Sequence, residues 1–193
     1  MYFKLTKAKI FKLSAKFNYF KLEVPIWIVM IDRLLFLDID GVLNTSMMTQ
    51  VSTFQLHPKL VKRFWHDIVT KTGCRVVVSS TWRRSVSHMQ FFHTKLIEAG
   101  SPGDLSKHIV GSTPLIIDSG TASELRVREI IKFCEERDDV CAEGTNIVVV
   151  DDLDLQFSDF GKFQLNFVRV NPESGLSVSN VQEVVQQLMN RTP

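Results

Sequence analysis

From Arg33 onward the chain alternates short, uninterrupted apolar runs with stretches in which apolar residues recur every three or four positions. The uninterrupted runs are Leu34 to Leu37, Arg75 to Ser79, Ile147 to Val150 and Phe167 to Val170, with a weaker one at His108 to Gly111. Continuous runs of this length suit strands covered on both faces in a parallel sheet. The periodic stretches predict helices over His57 to Thr70, Ser85 to Ala99, Ser123 to Glu136 and Val178 to Leu188. Pro58 fits a first helical turn and Gly100 a helix stop. Strands alternating with helices give a three-layer, Rossmann-like α/β fold with a parallel sheet. No internal repeat or low-complexity segment interrupts it.

Three of the apolar runs end in polar residues. The first runs into Asp38 and Asp40, the second into Ser79 and Ser80, and the third into Asp151, Asp152 and Asp154. In open α/β sheets the ligand site lies beyond the carboxyl ends of the strands, so these ends are where chemistry is expected. Carboxylates crowded at one sheet edge raise each other's pKa, and a hard dication removes the conflict. Mg²⁺ is bound through one or two carboxylates, with waters and a substrate phosphate completing its shell. The spacing DxDG adds a division of labour. Gly41 lets the backbone turn sharply, so that Asp38 faces a metal and an incoming phosphorus while Asp40 swings over the leaving group. Taken singly, a DxD or a DD at a strand end is as well explained by a turn or a cap.

Composition is that of an ordinary globular chain: 193 residues, 45% hydrophobic and 23% charged. The net charge of +2 conceals an asymmetry. Residues 1–29 carry six lysines against Glu23 alone, leaving residues 30–193 mildly acidic. This basic, aromatic arm precedes a single domain over 30–193. Its apolar residues fit helix and strand spacing equally. A solvated leader, a nucleic-acid tether and a targeting segment are its three readings. The run from Pro25 to Ile31 is too short to span a bilayer. Three cysteines, an odd number without metal-ligand spacing, read as reduced thiols, and the expectation is a soluble cytoplasmic protein. The five histidines show no ligand spacing either.

DIDGVLN (38–44), VVVSSTWR (76–83) and VVVDDLD (148–154) resemble motifs one, two and four of the haloacid dehalogenase (HAD) superfamily of phosphohydrolases. GSTP at 111–114, RVREI at 126–130 and PESGLS at 172–177 resemble, more narrowly, the HAD domain associated with Swiss Army Knife RNA-repair proteins. The resemblance implies a HAD-like hydrolase forming an aspartyl-phosphate on Asp38, with Asp40 as general acid and then base. Ser79, or Ser80 if the strand ends one residue later, would hydrogen-bond the phosphoryl oxygens. Mg²⁺ would be held by Asp38, the backbone carbonyl of Asp40, and Asp151 or Asp152. The basic residue of the third motif would be Arg126, with Arg128 and Lys132 as the other two choices. Trp82 and Arg83 are expected at the rim of the pocket, as a stacking surface and a phosphate fork, although Trp82 can equally serve only to pack its loop.

The segments between Asp40 and Ser79, and between Ser79 and Arg126, are used up by the expected helices and loops, so the domain is expected to be capless. An open site favours a phosphate on a large partner, such as a nucleic-acid end. Two other readings use the same residues. One is a non-catalytic module that binds a phosphorylated ligand, and the other is a two-metal nuclease that would need neither Ser79 nor a basic third-motif residue.

Overall fold

A computed structural model describes residues 32–51, 55–157 and 165–190. The basic arm lies outside them. The strands are β1 (Arg33–Leu37), β2 (Arg75–Val78), β3 (Ile109–Ser112), β4 (Asn146–Asp151) and β5 (Leu165–Arg169), all parallel in the order β3-β2-β1-β4-β5. The chain builds outward from β1 through β2 to β3, then crosses back to place β4 on the other flank of β1. The seam between β1 and β4 is therefore the topological switch point of the sheet, where ligands of such folds bind. At that seam the Asp38 amide donates to the Val150 carbonyl at 3.0 Å.

Uninterrupted apolar strands are what two covered faces require. Leu35, Leu37, Val76, Val78, Val148 and Val150 pack on one face; Leu34, Phe36, Val77, Ile147 and Val149 pack on the other. Alternation along each strand decides which side chain goes where. The helices are α1 (Ser46–Val51), α2 (Pro58–Arg63), α3 (Val86–Glu98), α4 (Ala122–Glu136) and α5 (Val178–Met189). Helix α2 runs on as a π-helical segment, Phe64–Thr70, that buries Phe64, Trp65, Ile68 and Val69. That segment, α3 and α5 cover the first face. Helix α4 covers the second through Val127, Ile130, Phe133 and Cys134, with Phe133 set edge-to-face on Phe36 at 5.5 Å between ring centroids. The result is the three-layer α/β fold expected from the alternation of runs.

The ends of the elements are fixed by side chains. Thr121 and Glu124 form a reciprocal capping box at the start of α4, and Ser177 and Asn180 do the same for α5. Ser85 accepts from the His88 amide to begin α3. Two short elements, α1 and a 3-10 turn at Thr81–Arg84, have no counterpart among the expected elements. Six and four residues are too few to display a helical period. Helix α3 buries Phe92 and Leu96 and leaves Ile97 46% exposed. All three cysteines are buried and outside any disulfide. Among the described residues no helix is long and apolar enough to cross a membrane.

Candidate functional site

Strand β1 delivers Asp38 into the switch-point seam, where it is only 4% exposed. Its Oδ1 accepts from the Ile39 amide at 2.8 Å. Gly41 then turns the chain with φ of +72°, and a Cβ at this position would stand 2.5 Å from Asp152 Oδ2. Glycine is thus required twice, for the left-handed turn and for the close approach of a carboxylate. Asn44 closes the turn. Its Oδ1 accepts from the Gly41 amide at 2.8 Å, and its Nδ2 donates to Asp40 Oδ1 at 2.9 Å and to the Gln55 carbonyl at 3.2 Å. The PESGLS segment buttresses this loop from outside: Ser46 donates through its amide to the Pro172 carbonyl, and Leu176 to the Val42 carbonyl. Gly175, at φ of +66°, fits because a Cβ would collide with Leu60.

From the neighbouring strand β4 come Asp151, fully buried, and Asp152, half-buried. One oxygen from each of Asp38, Asp151 and Asp152 can be chosen so that all three lie within 4.8 Å of one another. Burial first, and the Asp151 charge second, raise the Asp38 pKa well above the usual carboxylate range. Burial likewise raises Asp151, and the same two causes lift Asp152 to about 6. The trio is therefore short of positive charge, and its oxygens are the hard donors that a hard dication selects. The residues present fit a divalent metal. The Asp40 side chain is not one of the three, being turned to Asn44 and Trp82.

Arg126 is the cation that the protein itself places here. From the first turns of α4 its Nη1 reaches Asp151 Oδ2 at 2.7 Å and Asp38 Oδ1 at 3.3 Å, and it also donates to the Ser79 carbonyl. Burial alone would lower its pKa, but the charges of Asp38 and Asp151 outweigh that and raise it. The other two basic residues considered for this position point elsewhere. Arg128, on the exposed face of the helix, is paired with Asp118 of the preceding loop at 2.7 Å, and Lys132 lies 3.9 Å from Glu136 on that exposed face.

Strand β2 contributes the serines. Ser79 is 1% exposed, and its Oγ has no hydrogen-bond partner among the described residues. The buried hydroxyls of Ser101 and Thr113 share this lack of a partner, but Ser79 is the one that directly follows β2 beside Leu37, next to Asp38, where a ligand oxygen would be received. Ser80 is occupied differently. Its Oγ caps the 3-10 turn by accepting from the Trp82 amide at 3.4 Å.

The expected rim positions of Trp82 and Arg83 need correction, because both side chains are buried. The Arg83 fork is spent on the protein. Its Nε donates to the Thr113 carbonyl at 2.9 Å, Nη1 to the Ser80 carbonyl, and Nη2 pairs with Glu129 Oε2 at 2.5 Å. The tight turn after β2 sends both residues inward, where the guanidinium satisfies carbonyls of two loops that would otherwise be buried without donors. Trp82 Nε1 donates to both oxygens of Asp40. Two participants went unassigned in the sequence, Asn44 and Glu129. Glu129 is 4% exposed and lies 4.0 Å from Arg126 Nε. The signal for Glu129 was an acid three residues after Arg126 and directly before Ile130, on the buried stripe.

The chain thus assembles at one sheet edge a trio of carboxylates able to hold a metal, a buried arginine and an unpartnered serine hydroxyl. No curated protein and no solved structure matches it. The family described as the HAD domain in Swiss Army Knife RNA repair proteins does match, over residues 34–181. That span contains every residue of the site and all of the sheet but Arg33, and the chain belongs to this family of HAD domains.

Proposed function

We propose that this chain is a Mg²⁺-dependent phosphomonoesterase that works through an aspartyl-phosphate on Asp38, with phosphorylated polynucleotide ends as its substrates. The observation that carries the reading is the meeting of Asp38, Asp151 and Arg126 at the β1–β4 seam, next to a Ser79 hydroxyl that no protein group satisfies. An Asp38 oxygen attacks phosphorus, and the bond to the leaving oxygen breaks. Asp40 gives that oxygen a proton, then takes one from the water that attacks the aspartyl-phosphate and frees Asp38. Ser79 Oγ and the Arg126 guanidinium bond the phosphoryl oxygens through this transfer. Asp38, Asp151 and Asp152 would hold the metal, whose chemistry is to offset charge on nucleophile and phosphate.

Two observations favour a large substrate. The connections from β1 to β2 and from β3 to α4 contain, among the described residues, only short helices and loops, with no inserted domain to enclose a small metabolite. The family description places these domains in RNA-repair proteins. The test is a phosphatase panel of 3′- and 5′-phosphorylated oligonucleotides, sugar phosphates and mononucleotides, run with Mg²⁺ or with chelator. Release of phosphate from oligonucleotide ends is expected, lost in chelator and in Asp38→Asn. Asp38→Asn retaining more than a few per cent of the activity would remove the nucleophile assignment.

A further inference from the structure

We infer that Trp82 is a positioning residue for Asp40. Its indole N–H fixes the orientation of the proton-transfer carboxylate. The inference rests on the assignment of Asp40 as general acid made above.

The two aspartates of DxDG are turned to opposite flanks of β1. Asp38 faces Arg126 and the carboxylates of β4, whereas Asp40 faces the loop that follows β2. There Trp82 Nε1 lies 2.9 Å from Asp40 Oδ1 and 3.0 Å from Oδ2. An indole nitrogen can only donate. Burying it, at 2% exposure, with a carboxylate as acceptor makes a charge-assisted bond whose geometry the packing fixes. The ring is held by His88, 5.3 Å between centroids, and by Phe91 at 6.3 Å. The turn that carries it is pinned by Ser80 at one end and by the Arg83 fork on the Ser80 carbonyl. Asn44 Nδ2 adds a second donor to Oδ1 from the far side of the loop. Oδ1 thus receives two donors and Oδ2 a share of one, which fixes the rotation of the carboxylate. As Asp40 protonates the leaving oxygen, negative charge grows on a carboxylate already facing a fixed N–H, which is the preorganised arrangement that lowers a barrier.

A donor that serves proton transfer matters in proportion to how much the leaving oxygen needs a proton. An alkyl phosphate needs one, and p-nitrophenyl phosphate, with its stable phenolate, scarcely does. In the full chain with Mg²⁺, Trp82→Phe should lower kcat/KM for an alkyl phosphate by about 10- to 100-fold, part of the general-acid contribution, and for p-nitrophenyl phosphate by a few-fold at most. Asp40→Asn, measured beside it, should show the same selectivity more strongly. Asp40→Asn striking both substrates alike would overturn the acid assignment and this inference with it. If Asp40→Asn is selective but Trp82→Phe is neutral, or lowers both substrates equally, Trp82 merely packs the loop and the inference fails. Should Trp82→Phe not fold, β-(3-benzothienyl)alanine at position 82 keeps the ring outline, with sulfur in place of N–H, and is read against the same outcomes.

Discussion

Arg126 Nη1 stands 2.7 Å from Asp151 Oδ2, with the arginine side chain 7% exposed and the aspartate fully buried. Removing one partner of a buried pair leaves the other charge uncompensated, at a cost of about 3–5 kcal/mol. Arg126→Met should therefore lower metal-free stability by an amount of that order, reduced to the extent that the carboxylates take up protons. Mg²⁺ should restore much of the loss, since it brings positive charge to the same carboxylates. Denaturant unfolding of both proteins with and without Mg²⁺ measures this. An unchanged difference between the two conditions would mean that Arg126 and the metal do not share these carboxylates.

Protons and metal should compete at Asp152. Burial and the Asp151 charge raise its folded pKa from an ordinary aspartate's 3.8 to about 6. Between those values the folded state binds more protons than the unfolded one. This stabilisation is therefore present at low pH and is lost as pH rises through about 6 in the metal-free protein. Metal requires the deprotonated form, so its affinity should climb over the same interval and flatten above it. Calorimetric titration with Mg²⁺ at pH 5, 6 and 7 tests the sign, with proton release expected at the lower values.

Ser79→Ala should separate stability from activity. The hydroxyl has no partner to lose, so unfolding free energy should change by less than about 0.5 kcal/mol. Phosphatase activity should drop by about 10²-fold, as for other donors aimed at developing charge. Retained phosphatase activity would remove Ser79 from the groups that bind the phosphoryl oxygens.

Glu129 and Arg83 form a second buried pair, at 2.5 Å, that ties the turn after β2 to helix α4. Glu129 also accepts from the Ile116 amide at 3.2 Å, drawing in the loop after β3. Arg83→Met and Glu129→Leu should each destabilise by about 3–5 kcal/mol, and the double variant by clearly less than their sum. Additive losses in chemical unfolding would show that the pair is not coupled.

The strands could be read from the sequence because both faces of the sheet are covered, which makes each run continuously apolar and ends it visibly at a polar residue. The edge strands β3 and β5 are the exceptions that explain the rule. Both are only partly buried, and Gly111 and Ser112 in β3, and Asn166 and Arg169 in β5, weaken their patterns. Asp38, Ser79 and Asp151 were legible for the same reason, being the first polar residues after buried strands. Arg126 needed the resemblance, since periodicity does not distinguish a buried arginine from one on a solvated helix face. The inward turn of Trp82 and Arg83 was not legible at all. An indole and a guanidinium suit a ligand and a protein interior equally well, and only the geometry of the 3-10 turn decides between them.

The order of the strands also bears on how the chain acquires its site. Strand β1 meets β2 after the connection 38–74, but it meets β4 only by pairing Leu37 with Val150, across most of the domain. Such distant pairing is slow, because the closure entropy of the loop comes before any contact that offsets it. A folding chain can therefore hold Asp38 and Ser79 together well before Asp151 and Arg126 arrive. Metal affinity then belongs to the finished fold alone. A cation at about a hundred times its dissociation constant would add about 2.7 kcal/mol to that state and nothing to its precursors, so metal supply would set how long a completed chain survives unfolding.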